Sequence, residues 1–222
     1  MLGYELRWEA LWPYQELIGH AFLVSVRLAV LSLLLGGVLG LVLAYASSSK
    51  IRLLRLATVA YVDAIRNTPL LLLVFIVYLV VPELGLPGLD ADGTFVAALA
   101  MAASGVICEN LRAAFASMPK GYLEAAMAVG LRAWQRQAYI VLPIALRYAL
   151  PALTNSAVSV FKDTSLASII AIKELTYAAR EISTNTFRVF EAWIVIAVIY
   201  LIVTTAMAAL SRMLERRLSK AM

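Results

Sequence analysis

Ionisable side chains that could bind charged ligands lie inside or at the ends of long apolar runs of this sequence. They are Asp63, Arg66, Glu109, Arg112, Lys162 and Asp163. A charge in an apolar run is costly, and such residues usually face a bundle interior or a water-filled cavity. Asp63 with Arg66, and Glu109 with Arg112, are spaced i, i+3 on one helix face. Each pair is therefore a candidate for a binding site and equally for a structural ion pair.

Residues suited to catalysis are scarce. His20 is the only histidine and Cys108 the only cysteine, so a histidine-based metal site or a nucleophile paired with histidine is not expected. The glycine-rich run with a lysine that cradles ATP phosphates is absent from the sequence. We therefore expect no catalytic residue, no metal and no cofactor in this chain, and we do not expect it to be an enzyme.

The composition indicates a protein solvated mainly by lipid. The chain has 222 residues, of which 63% are hydrophobic and 15% charged, whereas a soluble domain is about half apolar and a quarter charged. The net charge of +5 is concentrated in short loops, as the positive-inside rule predicts for a membrane protein. Nucleic acid is therefore not an expected partner.

Five apolar runs are long enough to cross a bilayer, which takes about 20 residues in helical form. They cover about residues 22–46, 56–81, 94–114, 140–161 and 192–210. In lipid a helix satisfies its own backbone hydrogen bonds, so the sequence predicts an all-α polytopic fold with about five transmembrane helices. Residues 1–222 are expected to form a single transmembrane domain. Within the second run, Pro69 is expected to loosen the helix.

Loop charges predict the orientation. The loops after the first and third runs and the C-terminal tail are basic, whereas the loop over 82–93 carries only acids. The basic residues are Lys50, Arg52, Arg55, Lys120, Arg132, Arg136, Arg212, Arg216, Arg217 and Lys220, and the acids are Glu83, Asp90 and Asp92. Cytoplasmic loops carry the excess of lysine and arginine. We therefore expect the N-terminus outside, the C-terminus in the cytoplasm and five spans between them.

Two further segments are helical in pattern but too short to cross. Residues 121–136 place apolar side chains at helical spacing, with basic residues on the other side, which predicts a short amphipathic cytoplasmic helix. Its apolar positions are Leu123, Ala126, Met127, Gly130, Leu131 and Trp134. Residues 165–172 predict either a re-entrant or an interfacial helix.

The cytoplasmic segment also carries the most specific motif of the chain. Glu124-Ala125-Ala126 is followed, after three residues, by Gly130 and, after nine more, by Ile140-x-Leu142-Pro143. This pattern resembles the EAA loop of binding-protein-dependent ABC importer permeases. The resemblance implies that Glu124, Ala125, Ala126, Gly130, Leu142 and Pro143 couple this chain to a partner ATPase.

Other motifs resemble the polar amino acid group of that family, which carries histidine, glutamine, glutamate or arginine. The segment 66–70 resembles R-G-T-P-L, Glu109-x-x-Arg112 resembles E-I-x-R-G, and residues 162–166 match K-D-T-S-L. The sequence departs from the group at Asn67, Asn110, Ala113 and Tyr122. The changes beside Glu109 bear on which side chain the substrate carries.

The resemblance implies a permease subunit that translocates a polar amino acid through the bacterial inner membrane. Its expected partners are two cytoplasmic ATPase subunits that bind the ATP, a second permease subunit, identical or homologous, a periplasmic amino-acid-binding protein, and membrane lipid. An ion-coupled secondary transporter is the alternative. In the expected substrate site Arg66 binds the α-carboxylate, Glu109 and Asp163 bind the α-ammonium, and Asn155, Thr164 and Ser165 add neutral hydrogen bonds.

Overall fold

A computed structural model of the chain describes residues 4–85 and 88–219, and no strand occurs among them. A 3₁₀ turn over Trp8–Tyr14 precedes the first of eight helices in this part of the chain. The helices are α1 Gln15–Ser47, α2 Arg52–Asn67, α3 Leu70–Glu83, α4 Ala91–Ser117, α5 Lys120–Ala128, α6 Ala133–Ile170, α7 Leu175–Thr186 and α8 Val189–Ser219. The predicted all-α architecture is confirmed for the described residues.

Four segments of this part of the chain are long and apolar enough to cross a membrane. They are Trp8–Ser47, Ala91–Ser117, Ala133–Ile170 and Val189–Glu215. The pair α2 and α3 passes the same test jointly but is bent by 108°. The number of apolar spans is thus four, or five if the bent pair is one span. The expected spans over 22–46, 94–114 and 192–210 lie inside the longer helices α1, α4 and α8.

The bend between α2 and α3 shows that residues 56–81 do not form one continuous helix. Thr68 has an extended backbone, with φ −96° and ψ 127°, because the residue before a proline is pushed out of the helical region. Two backbone carbonyls near the end of α2 accept hydrogen bonds from nearby side chains. The Asn67 amide donates to the Asp63 carbonyl at 2.7 Å, and the Thr68 hydroxyl donates to the Ala64 carbonyl at 2.8 Å. Pro69 therefore separates two helices instead of loosening one.

The helix expected over 121–136 is shorter in the structure. α5 ends at Ala128, and Gly130 adopts a left-handed backbone with φ +75°. The Leu131 N–H donates to the Ala126 carbonyl at 3.1 Å, and the Gly130 N–H donates to the Met127 carbonyl at 3.0 Å. These two bonds form a Schellman motif, which ends a helix at a glycine. The next helix, α6, begins at Ala133, earlier than the expected span start near residue 140.

The segment over 165–172 is neither a separate re-entrant nor a separate interfacial helix. It continues α6 as a 3₁₀ helix over Thr164–Ile170 and ends where Ala171 turns left-handed, at φ +62°. α7 follows, an element that the sequence did not lead us to expect. Its N-cap, Glu174, is fully buried and accepts hydrogen bonds from the N–H groups of Thr176 and Tyr177, both at 2.9 Å. Burial raises the pKa of Glu174, and these N–H donors oppose that shift.

Contacts divide the chain into two compact units. The first unit comprises residues 4–33, 69–99 and 157–207, and the second comprises 34–68, 100–156 and 208–219. In the second unit α1 and α4 approach closely at two glycines. A Cβ atom on Gly36 would lie 2.8 Å from the Ala100 carbonyl oxygen, and one on Gly40 would lie 2.8 Å from Ile107 Cγ2. Glycine is required at both positions because no side chain fits between the two helices.

The first unit contains a clasp between the N-terminal segment and the start of α8. Glu191 is fully buried. Its carboxylate accepts a hydrogen bond from the Tyr4 hydroxyl, a second from the Arg7 N–H at 2.8 Å, and lies 3.7 Å from Arg188 Nη1. Arg188 Nη1 also donates to the Glu5 carbonyl at 3.1 Å. A buried carboxylate is tolerated when charge and hydrogen bonds compensate it, so this clasp fixes the N-terminal segment to α8.

Candidate functional site

Two of the charged side chains expected to bind substrate, Arg66 and Glu109, lie close together in the second unit, and Arg112 joins them there. Glu109 on α4 receives two hydrogen bonds from Arg112, from Nε at 2.9 Å and from Nη2 at 2.6 Å. Arg66, at the end of α2, approaches the same carboxylate more loosely, with Nη1 3.7 Å from Oε2. The side chains of Arg66, Glu109 and Arg112 are 43%, 26% and 53% exposed. The group is thus ion-paired and only partly covered by the rest of this chain.

Arg66 does not pair with Asp63, which was the structural alternative considered from their spacing. Among the described residues no ion pair within 4.0 Å joins the two, and Arg66 reaches across to α4 instead. Its stem passes Gly105, where a Cβ atom would lie 3.1 Å from Arg66 Cγ. The glycine leaves room for the arginine stem, and it is a residue of the site that the sequence did not single out.

The second expected pair, Glu109 with Arg112, does form. Arg112 holds both carboxylate oxygens of Glu109 in the fork geometry that arginine favours with carboxylates. Glu109 therefore forms the structural ion pair with Arg112 that its spacing suggested. In addition, Arg66 approaches the same carboxylate. A binding role for Glu109 remains a prediction from the sequence.

Asn110 joins α4 to α6 beside this group. Its Nδ2 atom donates to Ser156 Oγ at 3.0 Å, and Ser156 is buried and donates to the Ala152 carbonyl at 2.9 Å. The expected ligand Asn155 precedes Ser156 but is exposed. In the described part of the chain no hydrogen bond connects Asn155 to Arg66 or Glu109, so its role stays a prediction.

Asp163, Thr164 and Ser165 belong to the first unit, at the junction of the α-helical and 3₁₀ parts of α6. Thr164 is buried and its hydroxyl donates to the Phe161 carbonyl at 2.8 Å. The Ser165 carbonyl accepts from the Ser168 hydroxyl at 2.9 Å, and the Asp163 side chain does not cap the 3₁₀ helix. The part these three residues play in substrate binding stays a prediction.

The residues expected to contact an ATPase lie on and after α5. Glu124 and Ala125 are exposed, whereas Ala126 is buried. Gly130 ends the helix, and α6 then passes through a π-helical turn over Gln137–Val141 just before Leu142 and Pro143. Pro143 lacks the N–H that closes a helical hydrogen bond. The π-helical turn, which is wider than an α-helical one, ends two residues before this proline. The exposed face of α5 thus includes Glu124 and Ala125, and their contact with an ATPase stays a prediction.

The described residues, all-α with four or five apolar spans and a partly exposed, ion-paired charge group, have the architecture of a polytopic membrane protein. The chain belongs to the family of binding-protein-dependent transport system inner membrane components, whose family model matches residues 36–220. It is therefore a permease subunit of an ABC importer in the inner membrane. This membership decides between the two expected functions in favour of the importer over the ion-coupled transporter.

Several relatives are similar over nearly the whole chain. The glutamine transport system permease protein GlnP of Escherichia coli K12 is 36% identical over 214 residues, 95% of this chain and 97% of the relative. The L-cystine transport system permease protein TcyB of Bacillus subtilis is 34% identical, covering 99% and 94%. A crystal structure of an amino acid ABC transporter with histidines matches with a TM-score of 0.88 at 29% identity, covering 96% of this chain and 100% of the solved one.

Proposed function

We propose that this permease subunit translocates a polar amino acid, with Arg66 holding the α-carboxylate and Glu109 the α-ammonium. The similar permeases named for glutamine and L-cystine support this substrate class. The observation that carries the proposal is the loose approach of Arg66 to Glu109, at 3.7 Å, inside an exposed charge group. A zwitterion needs one fixed cation and one fixed anion, and this pair supplies both.

The geometry favours Arg66 as the carboxylate ligand. Its contact with Glu109 is longer than a hydrogen bond, so most of its donors remain available to a solute. The guanidinium is planar and grips a carboxylate with two parallel hydrogen bonds, which a lysine ammonium cannot do. Asn155, Asp163, Thr164 and Ser165 are proposed as further ligands on the strength of the sequence alone.

The proposed partners complete the importer. Two cytoplasmic ATPase subunits bind and hydrolyse ATP, so this chain holds no cofactor. A second permease subunit, identical or homologous, forms the pore with it, and a periplasmic binding protein delivers the amino acid. A short amphipathic helix is suited to a groove on a partner protein, and the exposed face of α5 with Glu124 and Ala125 is proposed to dock on the ATPase.

Arg66→Lys tests the substrate site. Uptake of radiolabelled L-glutamine into vesicles should fall at least about tenfold, the loss of one bidentate charge-assisted contact of about 1.5–3 kcal/mol. Co-purification with the ATPase subunit should be unchanged. The matched control is Arg55→Lys, an exposed arginine on the same helix, which should transport normally. Normal uptake by Arg66→Lys would remove the support for a carboxylate clamp, as would failure of that variant to assemble.

The proposed orientation places the N-terminus in the periplasm and the C-terminus in the cytoplasm. Single cysteines in place of Gly88 and Arg52, in a background where Cys108 is replaced by serine, should react with a membrane-impermeant maleimide from opposite sides. Gly88→Cys should be labelled in intact spheroplasts, and Arg52→Cys only after the membrane is opened. Labelling of both positions from one side would contradict the topology.

A further inference from the structure

We propose that Arg112 is an internal competitor for the substrate ammonium at Glu109, and that it keeps the affinity of the site low enough for release. The inference deepens the proposed function and rests on it. Arg112 holds both oxygens of Glu109 at 2.6 and 2.9 Å, whereas Arg66 approaches only one of them at 3.7 Å. In this state Glu109 is taken, and Arg66 is the freer of the two cations.

An arriving zwitterion therefore finds the cation of the site, Arg66, largely available and the anion, Glu109, already paired. Its carboxylate finds the available donors of Arg66, but its ammonium must share or take a carboxylate that already carries a bidentate cation. The arriving ammonium repels the guanidinium of Arg112 and competes with it for the same two oxygen atoms of Glu109. Binding of the ammonium consequently requires Arg112 to withdraw from Glu109, and the return of Arg112 expels the ammonium.

Arg112 has room and a second acceptor for such a movement. Its side chain is 53% exposed, so it is not packed in place. Asp63 on α2 lies three residues before Arg66, on the same helix face, and among the described residues it forms no ion pair within 4.0 Å. Arg112 can thus move from Glu109 to Asp63, and the sum of the four charges of Asp63, Arg66, Glu109 and Arg112 stays zero throughout. Adding a zwitterion leaves that balance unchanged.

Two substitutions with opposite effects test the proposal on the purified complex of permease and ATPase. Arg112→Gln frees Glu109, so the complex should bind L-glutamine about tenfold more tightly, while the maximal uptake rate falls because release is slowed. Asp63→Asn removes the second acceptor, holds Arg112 on Glu109 and should weaken L-glutamine binding by a similar factor. N-acetyl-L-glutamine, which lacks the ammonium, should gain nothing from Arg112→Gln.

The outcomes separate this role from a merely structural one. Unchanged or weaker L-glutamine binding by Arg112→Gln overturns the proposal, as does an equal gain for N-acetyl-L-glutamine. If Arg112→Gln does not assemble with the ATPase, the Asp63→Asn variant decides alone. Weaker binding of L-glutamine with unchanged binding of N-acetyl-L-glutamine then supports Arg112 as the competitor. Any other result refutes that role. Loss of N-acetyl-L-glutamine binding in Arg66→Lys is a separate readout, because it reports on the carboxylate clamp and not on Arg112.

Discussion

Replacing Gly130 by proline should abolish uptake and uncouple the partner ATPase while leaving the permease in the membrane. Gly130 has φ +75° and its N–H donates to the Met127 carbonyl at 3.0 Å. Proline fixes φ near −65° and has no N–H, so the turn that ends α5 cannot form. Because α5 ends at Ala128, the substitution leaves the helix itself in place but removes the Schellman turn that leads the chain from α5 towards α6. Uptake and substrate-stimulated ATP hydrolysis, both measured in proteoliposomes, would test this prediction.

A matched pair of alanine variants isolates the left-handed backbone as the cause. Gly130→Ala should cost about 1–2 kcal/mol, because an L side chain is strained at positive φ, and coupling should fall in proportion. Gly121→Ala lies within α5, where the added Cβ has nothing within 4 Å, so it should stabilise the helix slightly through helix propensity and leave coupling unchanged. Glu124→Lys reverses the charge of the exposed face and should uncouple without disturbing the turn. Full uptake and stimulation with both Gly130→Pro and Glu124→Lys would rule out the docking role of α5.

Gly36→Ala and Gly37→Ala should change the stability of the permease in opposite directions, although the two glycines are neighbours. The Cβ of Gly36→Ala would meet the Ala100 carbonyl at 2.8 Å and Ala103 Cβ at 2.9 Å. Overpacking of this kind costs about 1–3 kcal/mol. Gly37 has nothing within 4 Å of its added Cβ, so alanine there should stabilise α1 by up to about 1 kcal/mol through helix propensity.

Thermal unfolding of the detergent-solubilised complex would compare these variants directly. Gly40→Ala should behave like Gly36→Ala, because its Cβ would lie 2.9 Å from the Ser104 carbonyl oxygen. A larger residue, as in Gly36→Leu, should prevent accumulation of the folded chain. If Gly36→Ala and Gly37→Ala shifted the midpoint equally, the close crossing of α1 and α4 would not be what these glycines serve.

Elements that follow from composition were predicted from the sequence. Elements whose ends depend on the conformation of a single turn were missed. Apolar runs located the long helices because a lipid environment demands them. The stop at Gly130 was missed because the glycine was counted as an apolar member of a helical stripe, although a glycine after an alanine-rich segment is itself a helix stop signal. α7 was readable in the same way, from the helical spacing of Leu175, Ala178, Ala179 and Ile182.

The candidate site could be predicted only in part. The types of Arg66, Glu109 and Arg112 and the i, i+3 spacing of the last two were visible in the sequence. The pairing of Arg66 with Glu109 joins residues on two helices and depends on how those helices pack, which local spacing does not encode. The same holds for Gly105, whose importance appears only when the stem of Arg66 lies against it.

The clasp on Glu191 has a consequence for biosynthesis. The Arg7 N–H and the Glu191 carboxylate that it binds are 184 positions apart in the chain. At about 5–20 residues per second of synthesis, Tyr4 and Arg7 wait roughly 10–40 s before their acceptor is made. During that interval the Tyr4 hydroxyl and the Arg7 N–H lack the Glu191 carboxylate that accepts their hydrogen bonds in the folded chain. The clasp between the N-terminal segment and the start of α8 therefore forms late, after nearly the whole first unit has been synthesised.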